Sequence, residues 1–246
     1  MVGGGGEVTR GNPFRIFSES PLAAPLHQLV LSPEECHHLT VRRVAAGQAI
    51  EVLDGRGQVA IGVWQADGTV AIERIEVTAK PPDLTLLVGA GDRDRFLWLV
   101  EKCVELGVTH LVPVETERSR QVATRVRPEQ ADKMRKRAQE ALKQCGGAWA
   151  LQIAPVVGLE AALAGVDANR RWLADPNGTG AELVVPSVSV AVAIGPEGGF
   201  TEAEIVAVTA AGFSPTRLGL RTLRFETAAV AAAVVARLGG GSERHG

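Results

Sequence analysis

The sequence predicts a mixed α/β protein in which a small β-rich domain precedes a larger domain with a parallel sheet. Between residues 48 and 77, short apolar segments are separated by tight-turn residues, as in antiparallel strands. From residue 84 onward, strand patterns alternate with helical patterns, which favours parallel strands joined by crossovers. Between these regions, Pro81 and Pro82 stiffen the connection. We therefore expect a flexible leader over residues 1–12, a β-rich domain over 13–80 and an α/β domain over 81–246.

Bulk composition narrows the class of protein. The chain has 246 residues, 46% of them hydrophobic, which is enough to bury a core. Its longest apolar run, residues 228–236, is far shorter than a membrane span, so we expect a soluble, cytoplasmic protein with no membrane partner. Cys36, Cys103 and Cys145 form no Cys-x-x-Cys pair, and the five histidines add no metal-ligand spacing to them. This pattern predicts free thiols in a reducing compartment and no metal site.

The first domain is predicted to contain at least three strands. Residues 48–53 and 58–64 flank Asp54-Gly55-Arg56-Gly57, a strong hairpin signal, and Asp67-Gly68 precedes a third strand at 69–77. Strands of this length, joined by such tight turns, favour a compact barrel.

The second domain opens with a strand, a helix and another strand. Residues 84–88 form an apolar strand, and Asp92 is a good N-cap for a helix with apolar residues at helical spacing that ends at Gly107. Residues 109–114 are the next strand. Between Arg118 and Lys143, nine basic residues stand against three acidic ones. Such a run is either a solvated helix face or a surface that contacts phosphates.

Two blocks near the C-terminus carry most of the information. Residues 170–174 form a short strand before an Asp175-Pro-Asn-Gly178 turn, and the buried strand 190–194 leads into Gly195-Pro-Glu-Gly-Gly199. Thr201 and Glu204 have the spacing of a capping box, which predicts a helix after this turn. The second block, residues 217–227, opens a helix over 225–238 that is apolar on every side. We expect that helix to be buried all round, in part by a second copy of the chain.

The glycine turn does not match the nucleotide-binding patterns. Gly195, Gly198 and Gly199 have the wrong spacing for a dinucleotide fingerprint, and no Lys-Ser/Thr pair follows as in a P-loop. Ligands of open α/β sheets bind beyond the carboxyl ends of the strands, where glycines allow close approach. The turn is therefore either a binding site for another ligand or purely structural.

The sequence Ile194-Gly-Pro-Glu-Gly-Gly-Phe200, followed by Leu218-Gly-Leu-Arg-Thr-Leu-Arg-Phe-Glu-Thr-Ala228, resembles the C-terminal signature of the 16S ribosomal RNA uridine-N3 methyltransferases. These enzymes belong to the SPOUT superfamily of knotted, S-adenosylmethionine-dependent RNA methyltransferases. The resemblance extends from about Pro13 to Leu238. It implies a SPOUT-type parallel-sheet domain with a trefoil knot, preceded by a small PUA-like β-barrel that binds RNA.

The resemblance also implies a homodimer and a binding site for S-adenosylmethionine formed by three loops, with leucines packed on the adenine. The cofactor-binding residues implied in this way are Leu173, Ala174, Ile194, Gly195, Pro196, Glu197, Gly198, Gly199, Leu218, Gly219, Leu220, Arg221 and Leu223. The implied RNA-binding residues are Arg15, His37, Arg42, Arg43, Arg118, Arg120 and Arg135, and the RNA partner is 16S rRNA of the small ribosomal subunit.

Methyl transfer to a uracil N3 requires removal of a proton or stabilisation of the negative charge that develops. We expect Arg224 to stabilise that charge, and Glu226 or Glu197 to act as base or to orient the substrate. Each acid has a structural alternative. Glu226 benefits from the N-terminus of its helix, and Glu197 could simply pin its turn.

Two other functions stay open at this point. One is a non-catalytic RNA-binding or ribosome-assembly factor, and the other is a SPOUT methyltransferase that modifies a ribose 2′-hydroxyl. The chain also departs from the family pattern at Gly147, where relatives have arginine, and at Leu151, where they have proline. These departures concern the contacts to RNA and leave the cofactor blocks intact.

Overall fold

The structure is a computed structural model that describes residues 13–23, 25–185 and 187–238. The expected leader, residues 1–12, lies outside this description. The described chain divides into two compact units, one ending at Ala79 and the other beginning at Lys80. Among the described residues, no helix combines the length and the apolar character needed to cross a membrane.

The first unit is built on a five-stranded sheet. Its elements are β1 (Phe14–Phe17), β2 (Gln28–Val30), α1 (Pro33–Val41), β3 (Ala49–Leu53), β4 (Gln58–Trp64) and β5 (Thr69–Val77). The strand order is β1-β3-β4-β5-β2, and every pair is antiparallel except β1 with β3. The three predicted strands are confirmed. The predicted turn is also present, because Gly55 and Gly57 adopt the left-handed φ angles of 66° and 97° that it requires.

The second unit begins with β6 (Leu84–Gly89), α2 (Arg93–Glu105), β7 (His110–Glu115), α3 (Ala131–Cys145), β8 (Gln152–Ile153), β9 (Val157–Gly158) and α4 (Leu159–Ala164). It continues with β10 (Arg170–Gly180), β11 (Val190–Ile194), α5 (Glu202–Ala210), β12 (Ser214–Arg217) and α6 (Phe225–Leu238). The strands form one sheet in the order β12-β10-β11-β6-β7-β8, with β9 paired to β7.

All the strand pairs of this second sheet are parallel, which confirms the predicted α/β class. The order brings late strands beside early ones, since β11 pairs with β6 from Val190 opposite Leu84 to Ile194 opposite Val88. The carboxyl ends of β6, β10 and β11 therefore meet at one edge of the sheet. The segments that leave these strands surround the same space.

Strand β10 is longer than predicted. The expected strand 170–174 and the turn at Asp175–Gly178 are parts of one strand, Arg170–Gly180. Its pairing with β12 is interrupted at this turn, because Ala174 and Thr179 both face Thr216. The four residues between them bulge out of the ladder without ending the strand. The prediction of a turn at Asp175–Gly178 is therefore correct, but the prediction that the strand ends at residue 174 is wrong.

Helix α6 has the predicted bounds, but it is not buried on every side. Its buried residues are Phe225, Glu226, Ala228, Ala229, Ala232 and Ala233, and the Phe225 ring lies 6.4 Å from that of Phe96 on α2. The other face, which includes Val230, Val234 and Val235, is only partly covered. The helix packs one side on the sheet and α2, and the single chain leaves the other side partly uncovered, so burial by a second copy stays a prediction.

Candidate active site

A cavity of about 630 Å³ opens at the carboxyl ends of β10 and β11, where open α/β sheets bind their ligands. Its walls come from the bulge of β10, the turn after β11, the segment that leads into α6, and one residue of α2. The lining residues are Arg95, Leu173, Ala174, Asp175, Pro176, Asn177, Ile194, Gly195, Pro196, Glu197, Gly198, Gly199, Phe200, Ile205, Thr222, Leu223, Arg224, Phe225 and Ala228.

The glycine turn between β11 and α5 forms one wall. Gly199 has φ 72°, a conformation that favours glycine, and its amide donates to the Pro196 carbonyl oxygen at 2.8 Å. Helix α5 then begins with the predicted capping box. The Thr201 amide donates to Glu204 Oε2 at 2.8 Å, and the Glu204 amide donates to Thr201 Oγ1 at 3.3 Å. The capping residues thus hold the turn at the mouth of the cavity.

The segment between β6 and α2 packs directly on this turn. A Cβ atom on Gly89 would lie 2.5 Å from Pro196 Cδ, and one on Gly91 would lie 2.5 Å from Glu197 Oε2. Glu197 Oε1 accepts a 2.8 Å hydrogen bond from the Asp92 amide. Glu197 is exposed and lines the cavity, and this hydrogen bond ties the glycine turn to the segment that precedes α2.

Asp92 is the N-cap of α2, as predicted. Its Oδ1 accepts from the amides of Asp94 and Arg95, each at 3.1 Å. Its Oδ2 accepts from the Thr124 hydroxyl at 2.6 Å, and this hydrogen bond, followed by that from Arg95, lowers the pKa of the Asp92 carboxyl. The charged cap holds the start of α2, and with it Arg95, against the cavity.

Arg118 was predicted to contact RNA, and the structure places it on the glycine turn. Its Nη1 donates to the carbonyl oxygens of Gly198 and Phe200, the second at 3.2 Å. The turn that carries Arg118 is closed by Thr116 and Ser119, because the amide of each residue donates to the hydroxyl oxygen of the other, at 2.8 and 3.1 Å. Arg118 thus holds the backbone of a turn that lies 80 residues further along the chain.

Segment 218–224 supplies the opposite wall. The residues of this segment that are predicted to bind the cofactor do not all line the same pocket. Leu223 and Arg224 line the main cavity. Leu218, Gly219 and Arg221 line a small adjoining pocket of about 60 Å³ together with Ala174 and Leu223. The Leu220 side chain is 97% exposed and is not among the lining residues of either pocket.

Glu226 lies in the first turn of α6, where a negative charge is stabilised by the helix N-terminus. Its side chain is only 10% exposed, and its Oε1 lies 3.7 Å from Arg95 Nη1. Within the described residues, its buried Oε2 has no hydrogen-bond partner. A buried carboxylate oxygen without a donor is costly, and a catalytic role is one explanation for such a group. Sequence reasoning identified Glu226 but not Arg95, its partner from α2.

The other predicted RNA-binding residues do not line this cavity. In the first unit, Arg15 Nε lies 2.7 Å from Glu51 Oε2, and His37, Arg42 and Arg43 are exposed. In the second unit, Arg120 Nε lies 2.9 Å from Glu115 Oε1, and Arg135 pairs with Asp132.

Arg43 has φ 56°, a left-handed conformation that costs free energy in a residue with a side chain. An exposed, strained arginine at the end of α1 is consistent with a contact surface on the first unit.

Cysteine thiols and possible metal ligands are two further kinds of reactive group in the chain. Burial raises the pKa of the Cys103 thiol, so this cysteine stays protonated. Across residues 13–23, 25–185 and 187–238, no three His, Cys, Asp or Glu residues are grouped closely enough to hold a metal ion. The polar groups of the cavity are backbone amides and carbonyls, two arginines, two carboxylates, the Asn177 amide and the Thr222 hydroxyl.

The second unit is similar in sequence to a known protein family. Residues 78–237 match the model of the RNA methyltransferase domain. The chain is 31% identical over 225 residues to ribosomal RNA small subunit methyltransferase E from Synechocystis sp., a match that covers 81% of this chain and 69% of that protein.

Two solved structures are also similar. One is the crystal structure of a ribosomal RNA small subunit methyltransferase E from Neisseria gonorrhoeae bound to S-adenosyl methionine, with 26% identity, a TM-score of 0.80, and coverage of 92% of this chain and 97% of that one. The other is the methyltransferase Lpg2936 from Legionella pneumophila in complex with the same cofactor, with 26% identity, a TM-score of 0.80, and coverage of 93% and 98%.

The contact between Gly89 and Pro196 makes a prediction about stability. We expect Gly89→Ala to lower the free energy of unfolding by about 1–3 kcal/mol, because the new methyl group must displace the backbone of the glycine turn. Gly180→Ala is the matched control, since a Cβ at Gly180 would meet nothing within 4 Å. Urea unfolding followed by circular dichroism measures both. Equal midpoints for the two variants would contradict the close approach.

Proposed function

The chain belongs to the RNA methyltransferase family, and on this premise we propose that it methylates N3 of a specific uridine in the 16S rRNA of the small ribosomal subunit. The methyl donor is S-adenosylmethionine. The observation that carries the proposal is the main cavity, whose walls are formed by Gly195–Gly199 and by the segment before α6. These are the two blocks on which the sequence resemblance rests.

The cavity suits this cofactor in size and in chemistry. Its volume of about 630 Å³ lies in the range of small-molecule sites, about 300–1,000 Å³. Leu173, Ile194 and Leu223 provide apolar surface for a heterocyclic base, and the glycine turn provides backbone groups for its polar edge. Arg118 and Glu197 hold that turn in place from either side. We expect Leu173, Ile194, Leu223 and the glycine turn to bind the cofactor in the main cavity. Leu218, Gly219 and Arg221 would bind it from the adjoining pocket.

The reaction forms a bond between uracil N3 and the methyl carbon, breaks the bond between that carbon and sulfur, and releases the N3 proton. When bound, S-adenosylmethionine supplies a methyl carbon that is already activated by the sulfonium charge. The chain must then align the acceptor and manage the proton. Arg224 lines the cavity and is placed to stabilise negative charge on the uracil.

We propose that Glu226, rather than Glu197, accepts the N3 proton of the uracil. Glu226 Oε2 is buried and free of donors among the described groups, so it can accept a proton or an N–H hydrogen bond. Glu197 already accepts from the Asp92 amide and therefore has a clear task in holding the turn. Arg95, 3.7 Å from Glu226, orients the carboxylate.

RNA binding is proposed to use both units. The predicted domain over residues 13–80 would act as the PUA-like barrel domain, with Arg15, His37, Arg42 and Arg43 near the RNA. In the predicted domain over residues 81–246, Lys133, Arg135, Lys136 and Arg137 are exposed on α3. This basic face is supported as a phosphate contact by its exposure and charge. Arg118 and Arg120 would lie at its boundary with the cavity.

We also propose that the protein forms a homodimer and that its second unit contains a trefoil knot. The partly covered face of α6, with Val230, Val234 and Val235, is apolar and suits contact with a second copy. The placement of β10 between β12 and β11 supports the knotted connection that the family resemblance implies. Because ribosomal RNA is the substrate, we propose that the protein acts in the cytoplasm.

Methyl transfer from labelled S-adenosylmethionine tests the proposed function directly. The substrates are small ribosomal subunits that lack the modification and naked 16S rRNA, and mass spectrometry identifies the product nucleoside. We expect 3-methyluridine. A ribose-methylated product would show a different acceptor atom, and absence of cofactor binding would leave a non-catalytic RNA-binding protein.

The role of Glu226 predicts the effect of one substitution. Glu226→Gln keeps the shape of the side chain but removes the base, and we expect kcat to fall by about 100-fold or more. The affinity for S-adenosylmethionine, measured by calorimetry, should change little. Glu202→Gln, at an exposed acid in the first turn of α5, is the control and should retain full activity. A Glu226→Gln enzyme with the kcat of the wild type would rule out this assignment.

A further inference from the structure

A second cavity lies beside the first. It has a volume of about 370 Å³ and is lined by Asp94, Arg95, Trp98, Arg224, Glu226 and Thr227. Arg95 and Arg224 line both cavities, so the two spaces meet at these side chains. Arg224, to which the proposed mechanism assigns charge stabilisation, therefore faces both spaces, whereas Glu226 lines only the second cavity.

Trp98 is the one apolar side chain among the residues that line the second cavity. It lies on α2, one turn after Arg95, and is 44% exposed, whereas Phe96, Leu97, Leu99 and Val100 are buried in the core. Lys102 Nζ lies 5.8 Å from the centre of its ring and is itself held by Glu105 at 2.7 Å and Glu101 at 3.1 Å. An open indole beside a fixed cation is a surface on which nucleobases stack.

Glu226 supplies the second observation. Its carboxylate is nine-tenths buried and lines this cavity, yet its Oε2 lacks a donor within the described chain. A ligand that fills the cavity can provide this donor. The polar groups at the cavity are thus a hydrogen-bond acceptor, Glu226, and two donors, Arg95 and Arg224.

The structure points to the occupant. We propose that the second cavity holds the flipped-out base of the target uridine, stacked on Trp98, with its N3–H donating to Glu226. The hydrogen-bonding edge of uracil presents an acceptor, a donor and an acceptor, which complements two arginines and one carboxylate. Cytosine presents an acceptor at N3 and would face the carboxylate without a proton. This inference rests on the proposed function and adds to it the device that selects uracil.

The composition of the cavity favours a nucleobase over a second copy of the chain. Five of its six lining residues are polar or charged, whereas the core of a contact between identical subunits is mostly apolar. The apolar face of α6 offers Val230, Val234 and Val235, none of which lines the second cavity. A base inside a folded RNA must also leave its stack before N3 can be reached, and a cavity with an aromatic wall compensates for the lost stacking.

Quenching of tryptophan fluorescence tests the stacking contact without catalysis. The full chain is titrated with hexauridylate and, separately, with hexacytidylate, in the presence of S-adenosylhomocysteine. We expect hexauridylate to quench the wild type more strongly than hexacytidylate does, and this quenching to be lost in Trp98→Phe. Trp64 and Trp172 are buried and contribute little to the change, and the loss of quenching in Trp98→Phe distinguishes Trp98 from the partly exposed Trp149. Val206→Ala, which removes exposed apolar surface from α5, is the control and should be quenched like the wild type.

Kinetics with small ribosomal subunits provide the second readout. We expect Trp98→Ala to lower kcat/KM by about 10-fold or more, because an aromatic stacking partner is lost, and Trp98→Phe to recover most of it. Affinity for S-adenosylmethionine and the sedimentation coefficient should stay unchanged in both variants.

The outcomes separate this inference from the proposed function. Selective quenching without methyl transfer to rRNA would support the base pocket and contradict the reaction. Methyl transfer with wild-type kinetics in Trp98→Ala, or equal quenching by both oligonucleotides, would overturn the pocket and leave the reaction standing. A changed sedimentation coefficient in Trp98→Ala would show that Trp98 joins two copies of the chain, and would overturn it as well.

Discussion

The site depends on how closely the β6–α2 segment approaches the glycine turn after β11. At Gly89 there is no room for a Cβ atom, because Gly195 and Pro196 occupy that space, and at Gly91 a Cβ atom would displace the Glu197 carboxylate. Glu197 then accepts a hydrogen bond from the Asp92 amide, and Asp92 in turn caps α2. The same few atoms therefore fix the wall of the main cavity and the start of the helix that carries Arg95 and Trp98. Parallel pairing of β6 with β11 brings the carboxyl ends of these two strands side by side.

Charged side chains connect segments that are distant in sequence around this contact. Arg118 holds the carbonyls of Gly198 and Phe200, and Arg95 faces the buried Glu226. In water such pairs contribute little, but partial burial and hydrogen bonding to fixed backbone groups increase their effect. The result is a cavity whose backbone is held rigidly while one carboxylate oxygen stays free of donors within the described residues. This arrangement suits a protein that aligns an already activated methyl donor, because positioning then accounts for most of the catalysis.

Local sequence patterns predicted the elements well, and long-range contacts explain where they failed. The strands at 49–53, 58–64 and 69–77, the Asp92 cap and the Thr201–Glu204 capping box depend on neighbouring residues, and all are present. The position of Arg118 on the glycine turn could not be predicted, since it depends on a contact across 80 residues. The continuation of β10 past Ala174 depends on β12, and the partly open face of α6 depends on which surfaces the sheet can cover. Trp98 does not fall on the apolar spacing that predicts the core face of α2, and it belongs to no known binding motif. Its place beside the second cavity is therefore visible only in the structure.

Hydrogen–deuterium exchange of the full chain, with and without S-adenosylmethionine, tests the central claim that three separate segments form one cofactor site. We expect slower exchange together in residues 173–177, 195–200 and 222–225, because these three segments line the main cavity. Exchange in the first-unit strands at 49–64 should be unchanged. Protection confined to other segments, or binding without protection of the glycine turn, would contradict the site described above.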